Sequence, residues 1–467
     1  MQSNLRFDEA DFTVRTWTFG EETVTCRAYE NFLYVKYPSD PEHQVMSLYV
    51  PQAYYENKAS GGFTRDTAPV FFPNAVGGYL PGLPASPGAS RGNEDGNASF
   101  QALRRGYVVA APGARGRTTR DSSGRFNGKA PACIVDQKAA VRYLRANRDA
   151  IPGNFERIIS NGTSAGGALS ALLGATGNHP DYAPWLKEIG AAEERDDIFA
   201  ASCYCPITNL EQADMAYEWQ FHGTKEAYGR AFRKVGDRME MVPAHTVLTE
   251  EQLAHSKALH ALFPAYLNSL ALAGPDGKPL TLDAQGGGTF LDHVKQAIIT
   301  SAQQALRKEP GLAAHEWLRI RNGRVEDVDF QAFTAFSTRM KLPFAFDGLN
   351  LETPENNLFG TEMIDSLHFT PCARERAGTE GVLADPSIVA MMNPMGAIGA
   401  AEAITAKHWR IRHGVVDRDT SLAVPVMLAT RLRNHGCEVD FELPWGMAHA
   451  GDYDLEELFN WMDQVTL

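Results

Sequence analysis

Short apolar runs alternate with amphipathic stretches over most of the chain. Continuous apolar runs that end in glycine or proline turns, as buried parallel strands do, occur at 69–79, 106–113, 157–161 and 198–207. Apolar residues at helical spacing occur between these runs, at 135–147 and 168–175. Because strand-like and helix-like segments alternate, the pattern predicts an α/β protein with a mostly parallel, doubly wound sheet.

The alternation stops after residue 207 and resumes near the carboxyl end. Residues 208–343 are irregular, with helical spacing at 250–272 and 290–306. Strand-like and helix-like runs then return at 409–416, 425–435, 437–443 and 455–465. We therefore predict a core domain formed by 1–207 and 344–467, interrupted by a large, mainly helical cap or lid domain at 208–343.

Composition narrows the class of protein. The 467 residues are enough for a full hydrophobic core, and the net charge of -13 disfavours a binder of nucleic acid or of anionic membranes. The amino terminus lacks the pattern of a signal peptide, and no apolar run reaches the length of a membrane span. We expect a soluble, cytoplasmic protein that acts on a small molecule; the oligomeric state stays open, and a monomer is compatible with the sequence.

The six cysteines do not form the pattern of a disulfide scaffold. Cys203 and Cys205 are two residues apart inside an apolar run, where buried thiols are the more common interpretation than a bridge or a metal site. We therefore expect no metal site from this pair.

A nucleophile motif stands between the strand at 157–161 and the helix that follows it. Residues 162–166 read GTSAG, a G-x-S-x-G sequence whose small residues allow the sharp turn that exposes a serine hydroxyl above a sheet edge. The alternative is a glycine-rich helix start with a capping serine. The position between strand and helix favours Ser164 as a nucleophile and an α/β-hydrolase fold.

A serine nucleophile needs a histidine to accept its proton and a carboxylate to orient that histidine. In this fold the acid and then the histidine follow the serine along the chain, and Asp417 and His449 each come directly after a predicted strand. His413 is the rival histidine, but it falls inside the predicted strand. Asp419 is the rival acid, and we favour Asp417 because it follows the apolar run immediately.

An oxyanion hole requires backbone N–H groups beside the serine. Ala165 follows the nucleophile and supplies the first candidate donor. Gly77 and Gly78 lie in the loop that ends the run 69–79 and are candidates for the second donor, although the loop also has the composition of an ordinary turn. Which of the two glycines donates is left open. This chemistry requires no metal ion or organic cofactor.

Over essentially its whole length the chain resembles the bacterial tannases, the tannin acyl hydrolases that cleave galloyl esters. The similarity lies in the loop at 73–79 (PNAVGGY), the nucleophile segment at 162–167 (GTSAGG), the insertion after Ile207, the segment at 341–350 (KLPFAFDGLN) and the segment at 413–419 (HGVVDRD). The resemblance implies an ester hydrolase with a galloyl pocket where the cap meets the core.

The same resemblance assigns roles to residues of that pocket. Lys341, Glu355 and Asp419 match the family's positions that hydrogen-bond the three phenolic hydroxyls, and Ile207 with Pro354 match those that sandwich the ring. The chemistry is compatible, because carboxylates accept and an ammonium group donates hydrogen bonds. Without the resemblance, each of these charged residues is more commonly a solvated residue of the cap.

Other interpretations remain open on the sequence. A feruloyl or other phenolic-acid esterase, or a peptidase, would use the same triad with another pocket, and a catalytically silent binding protein of the same fold would need no triad. The charged, methionine-containing stretch at 217–243 is a candidate flap over the site. The physiological substrate and any depside cleavage are left open.

Overall fold

The computed structural model describes residues 4–89, 95–235, 238–378 and 381–467. The described residues form the strands β1 (Thr13–Phe19), β2 (Glu22–Leu33), β3 (Val45–Pro51), β4 (Val70–Pro73), β5 (Val108–Pro112), β6 (Ile158–Thr163), β7 (Ala200–Tyr204), β8 (Glu226–Val235), β9 (Arg238–Val247), β10 (Leu318–Arg321), β11 (Arg324–Val328), β12 (His408–Arg412) and β13 (Glu438–Glu442).

The helices surround and connect these strands. They are α1 (Ala98–Arg104), α2 (Ala132–Ala146), α3 (Ala165–Ala175), α4 (Ala183–Glu188), α5 (Leu210–Phe221), α6 (Glu250–Ser269), α7 (Thr289–Leu306), α8 (Phe330–Ser337), α9 (Pro354–Leu358), α10 (Pro371–Ala377), α11 (Pro386–Met391), α12 (Pro394–Ala397), α13 (Ala423–Asn434) and α14 (Leu455–Thr466).

One large mixed sheet of nine strands organises the fold, in the order β1-β2-β3-β5-β4-β6-β7-β12-β13. The pairs from β5 to β13 are parallel, as the apolar runs predict. The pairs β1–β2, β2–β3 and β3–β5 are antiparallel. An antiparallel edge can leave one face in water, and exposed threonine pairs such as Thr16–Thr25 occupy that face. The architecture is that of an α/β-hydrolase-like protein.

The small residues of α3 allow this helix to pack closely on the sheet. Every residue of α3 is buried. A Cβ atom on Gly174 would come within 2.7 Å of the Trp409 ring, and one on Gly167 within 2.5 Å of the Tyr204 carbonyl oxygen. The close approach leaves no room for a side chain at either glycine. It places the amino terminus of α3, which directly follows Ser164, at the carboxyl edge of the sheet.

Among its described residues, the segment 208–343 contains four helices and also two hairpins that the sequence pattern did not indicate, β8–β9 and β10–β11. The predicted helices at 250–272 and 290–306 correspond to α6 and α7. Buried aromatic residues of the segment, including Trp219, Phe263 and Phe290, join the same contiguous hydrophobic core as the sheet. The inserted segment is therefore packed firmly against the remainder of the described chain.

Two stretches of the chain, 217–243 and 81–97, include residues outside those that the structure describes. The first begins inside α5 and continues into the hairpin β8–β9, with 236–237 outside the described residues. The loop at 81–97 includes 90–94, which also lie outside them. Among the residues that the structure describes, none of the helices combines the length and apolar character needed to cross a bilayer.

Candidate active site

Ser164 occupies a strained turn between β6 and α3. Its φ of 61° and ψ of -121° lie in a region that residues with side chains rarely adopt, and such strain costs of order 1–3 kcal/mol. The Ser164 N–H donates a hydrogen bond to the carbonyl oxygen of Tyr204 at 3.0 Å, which holds the turn against the end of β7. The predicted strand–turn–helix context of the G-x-S-x-G motif is confirmed.

The two glycines of the motif are required by close packing inside the turn. A Cβ atom on Gly162 would lie 2.3 Å from the Gly166 carbonyl oxygen, and one on Gly166 would lie 2.5 Å from Asn74 Oδ1. Asn74 occupies this space because its Nδ2 donates to Gly166 O at 2.9 Å and to Ser170 Oγ at 3.0 Å. The loop after β4 is thereby fixed directly to the nucleophile turn.

Backbone donors for an oxyanion lie beside the serine. Ala165 is the first residue of α3, where the N–H has no partner within the helix. Gly77 lines a cavity of about 390 Å³ together with Ser164. Gly78 has a φ of +54°, and its carbonyl oxygen accepts a hydrogen bond from Arg117 Nε at 2.8 Å. Both glycines of the predicted pair therefore remain candidates for the second donor.

His449 and Asp417 are joined directly. The His449 Nδ1 atom lies 2.8 Å from Asp417 Oδ2, in hydrogen-bonding geometry, and Asp417 is buried. The loops that carry them are also connected, because the N–H of Val416 donates to the carbonyl oxygen of Met447 at 3.2 Å. The carboxylate thereby orients the imidazole, with Nδ1 toward Asp417 and Nε2 on the opposite side of the ring.

Neither rival residue has this geometry. His413 follows the end of β12 rather than lying inside the strand as predicted, and its Nδ1 is 3.8 Å from Asp417 Oδ2. Neither ring nitrogen of this buried histidine has a hydrogen-bond partner among the described residues. Asp419 Oδ2 lies 3.8 Å from His449 Nδ1, too far for a hydrogen bond. The distances favour the pair His449–Asp417.

Electrostatics reinforces this pairing. Burial disfavours the ionised form of Asp417, but His413 and the hydrogen bond from His449 more than compensate and hold its pKa below the usual range. Burial likewise opposes protonation of His449, but the hydrogen bond to Asp417 outweighs it and raises the pKa of His449 above its ordinary value. Asp417 therefore stabilises the imidazolium, as proton transfer from a serine requires.

The loop of His449 lies against the nucleophile turn. A Cβ atom on Gly451 would fall 1.9 Å from Thr163 Oγ1, which shows how closely the two segments approach. Cys205 stands beside them, with its Sγ atom 3.9 Å from His449 Nε2. It directly follows Tyr204, whose carbonyl oxygen holds Ser164. The serine turn, the histidine loop and the end of β7 thus meet at one edge of the sheet.

The charged residues singled out for the ring hydroxyls share one region. Lys341 Nζ lies 4.0 Å from Asp419 Oδ1 and 4.4 Å from the centre of the Phe346 ring. Glu355 is buried, which raises its pKa, while the nearby charge of Lys341 acts in the opposite direction. All three charges therefore act on one another. Asp419 also lies near His449, with its Oδ2 atom 3.8 Å from His449 Nδ1.

The two residues expected to sandwich the ring belong to different elements. Ile207 is buried just beyond β7, and Pro354 is exposed at the first position of α9, one residue before Glu355. The amino terminus of α9 is capped by Thr353, whose side chain accepts a hydrogen bond from the Asn356 N–H. This cap, a local feature of the sequence, fixes the turn of helix that carries Pro354 and Glu355.

Sequence reasoning missed two residues that organise the site. Arg117 bridges the loop of Gly78 and helix α9, since its Nη1 donates to Asn357 Oδ1 at 2.9 Å. Asp347 is fully buried and accepts hydrogen bonds from Asn356 Nδ2 at 2.7 Å and from the Thr370 N–H at 2.7 Å. Arg117 has no motif of its own. Asp347 lies inside the segment 341–350, so the family resemblance of that segment could have pointed to it.

Two comparisons with known proteins match part of the chain. The family model described as BD-FAE matches residues 88–231, which include Ser164. Esterase LipC from Mycobacterium tuberculosis is 47% identical over 58 residues, a stretch that covers 12% of this chain and only 14% of that enzyme. Both matches cover only part of the chain.

Solved structures match the whole chain. A tannase from Fusobacterium nucleatum is 46% identical with a TM-score of 0.95, covering 99% of this chain and 100% of that one. A tannase from Lactobacillus plantarum is 44% identical, with the same TM-score of 0.95 and the same coverage of 99% and 100%. A tannin acyl hydrolase in complex with ethyl gallate is 44% identical, covers 99% of each chain and has a TM-score of 0.93. The chain therefore belongs to the bacterial tannase family.

Proposed function

We propose that this protein is a serine esterase that hydrolyses galloyl esters and releases gallic acid. The observation that carries the proposal is that 99% of the chain shares the structure of a tannin acyl hydrolase bound to ethyl gallate. A tannin acyl hydrolase in complex with 3,4-dihydroxybenzoate is equally similar in sequence, at 44% identity. Small phenolic molecules are therefore the substrate class, and an ester carbonyl is the group that reacts.

The mechanism uses the geometry around Ser164. The serine Oγ attacks the ester carbonyl carbon while His449 Nε2 takes the hydroxyl proton. Asp417, 2.8 Å from Nδ1, fixes the tautomer and stabilises the imidazolium. The N–H of Ala165 and that of Gly78 or Gly77 stabilise the oxyanion. His449 then protonates the departing alcohol, and a water molecule that it activates releases the acid from the serine ester.

The galloyl ring is held by the charged group beside the triad. Glu355 and Asp419 accept hydrogen bonds from ring hydroxyls, and Lys341 donates to one, while Ile207 and Pro354 contact the two faces of the ring. The chemistry of these residues supports this assignment in addition to the family resemblance. Glu355 is buried beside the charge of Lys341, so a substrate hydroxyl that completes its hydrogen bonding lowers the cost of keeping a carboxylate there.

Residues 208–343 serve as a cap over a core formed by 1–207 and 344–467. The support is that the proposed ring-binding residues come from both parts, with Lys341 near the end of the insertion and Asp419 in the core. The hairpin β8–β9 begins beside this junction, because the Tyr228 N–H donates to the Arg339 carbonyl oxygen at 2.8 Å. A hairpin anchored two residues before Lys341 is well placed to act as the flap.

The decisive experiment compares esters that share an alcohol and differ in the acid. Purified protein is assayed with methyl gallate, methyl 4-hydroxybenzoate and methyl ferulate, and the acids released are identified. We expect methyl gallate to be preferred and the Ser164→Ala variant to be inactive while remaining folded, since only the nucleophilic oxygen is lost. Preference for ferulate would instead identify a phenolic-acid esterase of the same triad, and binding without turnover would identify a silent relative.

A further inference from the structure

Cys205 is a buried thiol that the esterase mechanism does not use. It lies just beyond β7, with a φ of +35°, and its side chain is 1% exposed. The Sγ atom lies 3.9 Å from His449 Nε2, and the thiol donates to the carbonyl oxygen of Ala450 at 3.4 Å. A left-handed backbone at a residue with a side chain is uncommon, and here it turns a sulfur atom toward the base.

Cys205, His449 and Asp417 form a cluster of potential metal ligands. One ligand atom from each residue, a thiol sulfur, a ring nitrogen and a carboxylate oxygen, lies within 4.8 Å of the other two. In a tetrahedral zinc site, bonds of about 2.3 Å to sulfur and about 2.0–2.1 Å to nitrogen place those two atoms about 3.6 Å apart. The observed separation of 3.9 Å therefore needs a shift of only a few tenths of an ångström.

The environment of His449 also suits metal ligation. Asp417 lies 2.8 Å from Nδ1, so in the neutral ring the Nδ1–H is held by the carboxylate and the lone pair stands on Nε2, the atom that faces the sulfur. Histidines that bind metals usually donate their other ring N–H to a carboxylate in this way, which fixes the tautomer and raises the basicity of the ligand. Asp419, 3.8 Å from Nδ1, adds a second negative charge nearby.

We propose that Cys205 and His449 bind a thiophilic divalent cation such as Zn²⁺ or Cd²⁺, and that the bound cation reversibly inhibits the esterase. Sulfur and Nε2 are two ligands, and water completes the coordination. On binding, the thiol releases its proton to solvent, and so does Nε2 of any His449 that is protonated; no group is oxidised or reduced. Inhibition follows because the lone pair on Nε2 is the one that would accept the Ser164 proton. Only this inhibitory consequence rests on the proposed function; the binding site does not.

The test measures binding and activity separately. Protein freed of metal with EDTA is titrated with ZnCl₂ by calorimetry, and CdCl₂ binding is followed by the ultraviolet charge-transfer absorption of a cadmium–thiolate bond. We expect one ion per chain, loss of methyl gallate hydrolysis in parallel with binding, and recovery with EDTA. Cys205→Ser should weaken the affinity at least about tenfold, and Asp417→Asn by about 10- to 100-fold, the usual effect of removing the carboxylate behind a ligating histidine.

Cys203→Ser is the matched control, because Cys203 is a buried thiol two residues away that does not belong to the cluster in the described residues. It should bind Zn²⁺ like the wild type. His449→Ala should also lose metal binding, and this can be measured because the titration requires no enzymatic activity. This variant keeps the test possible even if Cys205→Ser does not fold. Unchanged affinity in either Cys205→Ser or His449→Ala, or no binding by the wild type at micromolar metal, would overturn the proposal. Binding with this pattern by a protein that does not cleave gallate esters would leave the site standing and reject only the esterase.

Discussion

Arg117 donates a hydrogen bond from its Nε to the carbonyl oxygen of Gly78 at 2.8 Å. The same guanidinium donates from Nη1 to Asn357 Oδ1 at 2.9 Å. Gly78 belongs to the loop proposed to supply an oxyanion donor, and Asn357 lies in α9, the helix of Glu355. Arg117 therefore connects the loop proposed to stabilise the reacting carbonyl with the helix proposed to hold the ring.

Arg117→Ala should lower kcat more than it raises KM for methyl gallate. A hydrogen bond from a charged group contributes about 1.5–3 kcal/mol, so a loss of tenfold or more in kcat is expected if the Gly78 loop must be held for transition-state stabilisation. Arg120→Ala is the control, since the exposed Arg120 contacts Gly124 and Phe126 instead. Steady-state kinetics measures kcat and KM for each variant. Equal kcat values in wild type and Arg117→Ala would show that Arg117 does not support transition-state stabilisation.

The acid of the triad is tested by its effect on the pH profile. Asp417→Asn should lower kcat by about 10³ to 10⁴, because an asparagine favours the wrong tautomer of His449. Asp417 raises the pKa of His449, and the neutral imidazole is the active form, so activity rises as pH rises through that pKa. Removing the carboxylate lowers the pKa and should move the acidic limb of kcat/KM to lower pH.

The comparison variant is Asp419→Asn, measured over the same pH range. Because Asp419 lies 3.8 Å from His449 Nδ1 and makes no hydrogen bond to it, the acidic limb should move less than in Asp417→Asn. The main effect of Asp419→Asn should be on the preference among hydroxylated esters. If Asp419→Asn shifts the limb and Asp417→Asn does not, the assignment of the two acids is reversed.

The buried ion pair between Arg339 and Glu218 should stabilise the fold. Both side chains are almost completely inaccessible to water. Arg339 Nε also donates to the Lys341 carbonyl oxygen at 2.9 Å. Arg339→Ala leaves a carboxylate buried without its partner, and the free energy of unfolding should fall by about 3–5 kcal/mol. Denaturant unfolding measures this, with Arg319→Ala, at a largely exposed ion pair, as a control that should change little.

The sequence predicted the parts of the molecule that depend on local pattern. The motif around Ser164 could be placed because a strand and a helix flank it and because its glycines are needed at close range. Strands β4 to β7 were evident because they are buried on both faces and therefore continuously apolar. Strand β1, which is mostly exposed, and strand β2, whose burial is mixed, were missed, and so was helix α1.

Other features depend on tertiary contacts that no local pattern encodes. Asp417 and Asp419 are two residues apart, and the 2.8 Å contact between Asp417 and His449 joins residues 32 positions apart in the chain. The hydrogen-bond partners of Arg117 are Gly78 and Asn357, which lie 39 and 240 positions away from it along the chain. The hairpin β8–β9 was read as a flap of unknown structure, because its charged residues give no clear period of two. Family resemblance, rather than periodicity, supplied Lys341 and Glu355.

The last prediction concerns the origin of substrate preference. Wild-type protein should favour methyl gallate over methyl 4-hydroxybenzoate in kcat/KM by at least about 100-fold, since each buried polar group left without a partner costs about 1–3 kcal/mol. Glu355→Gln keeps the shape of the side chain but removes the charge that makes its hydrogen bond strong. The variant should therefore lose activity on gallate more than on the monohydroxy ester, and the ratio should narrow by about tenfold.

Glu352→Gln provides the matched control, because Glu352 is an exposed carboxylate three residues earlier in the same segment. In this variant the ratio of kcat/KM for methyl gallate to that for methyl 4-hydroxybenzoate should equal the wild-type ratio. The control therefore separates the effect of the buried charge of Glu355 from a general change in net charge. A pocket that recognises the ring only by its apolar faces, through Ile207 and Pro354, predicts that both variants keep the wild-type ratio. In that outcome the assignment of Glu355 to a ring hydroxyl would be wrong, while the triad of Ser164, Asp417 and His449 would be unaffected.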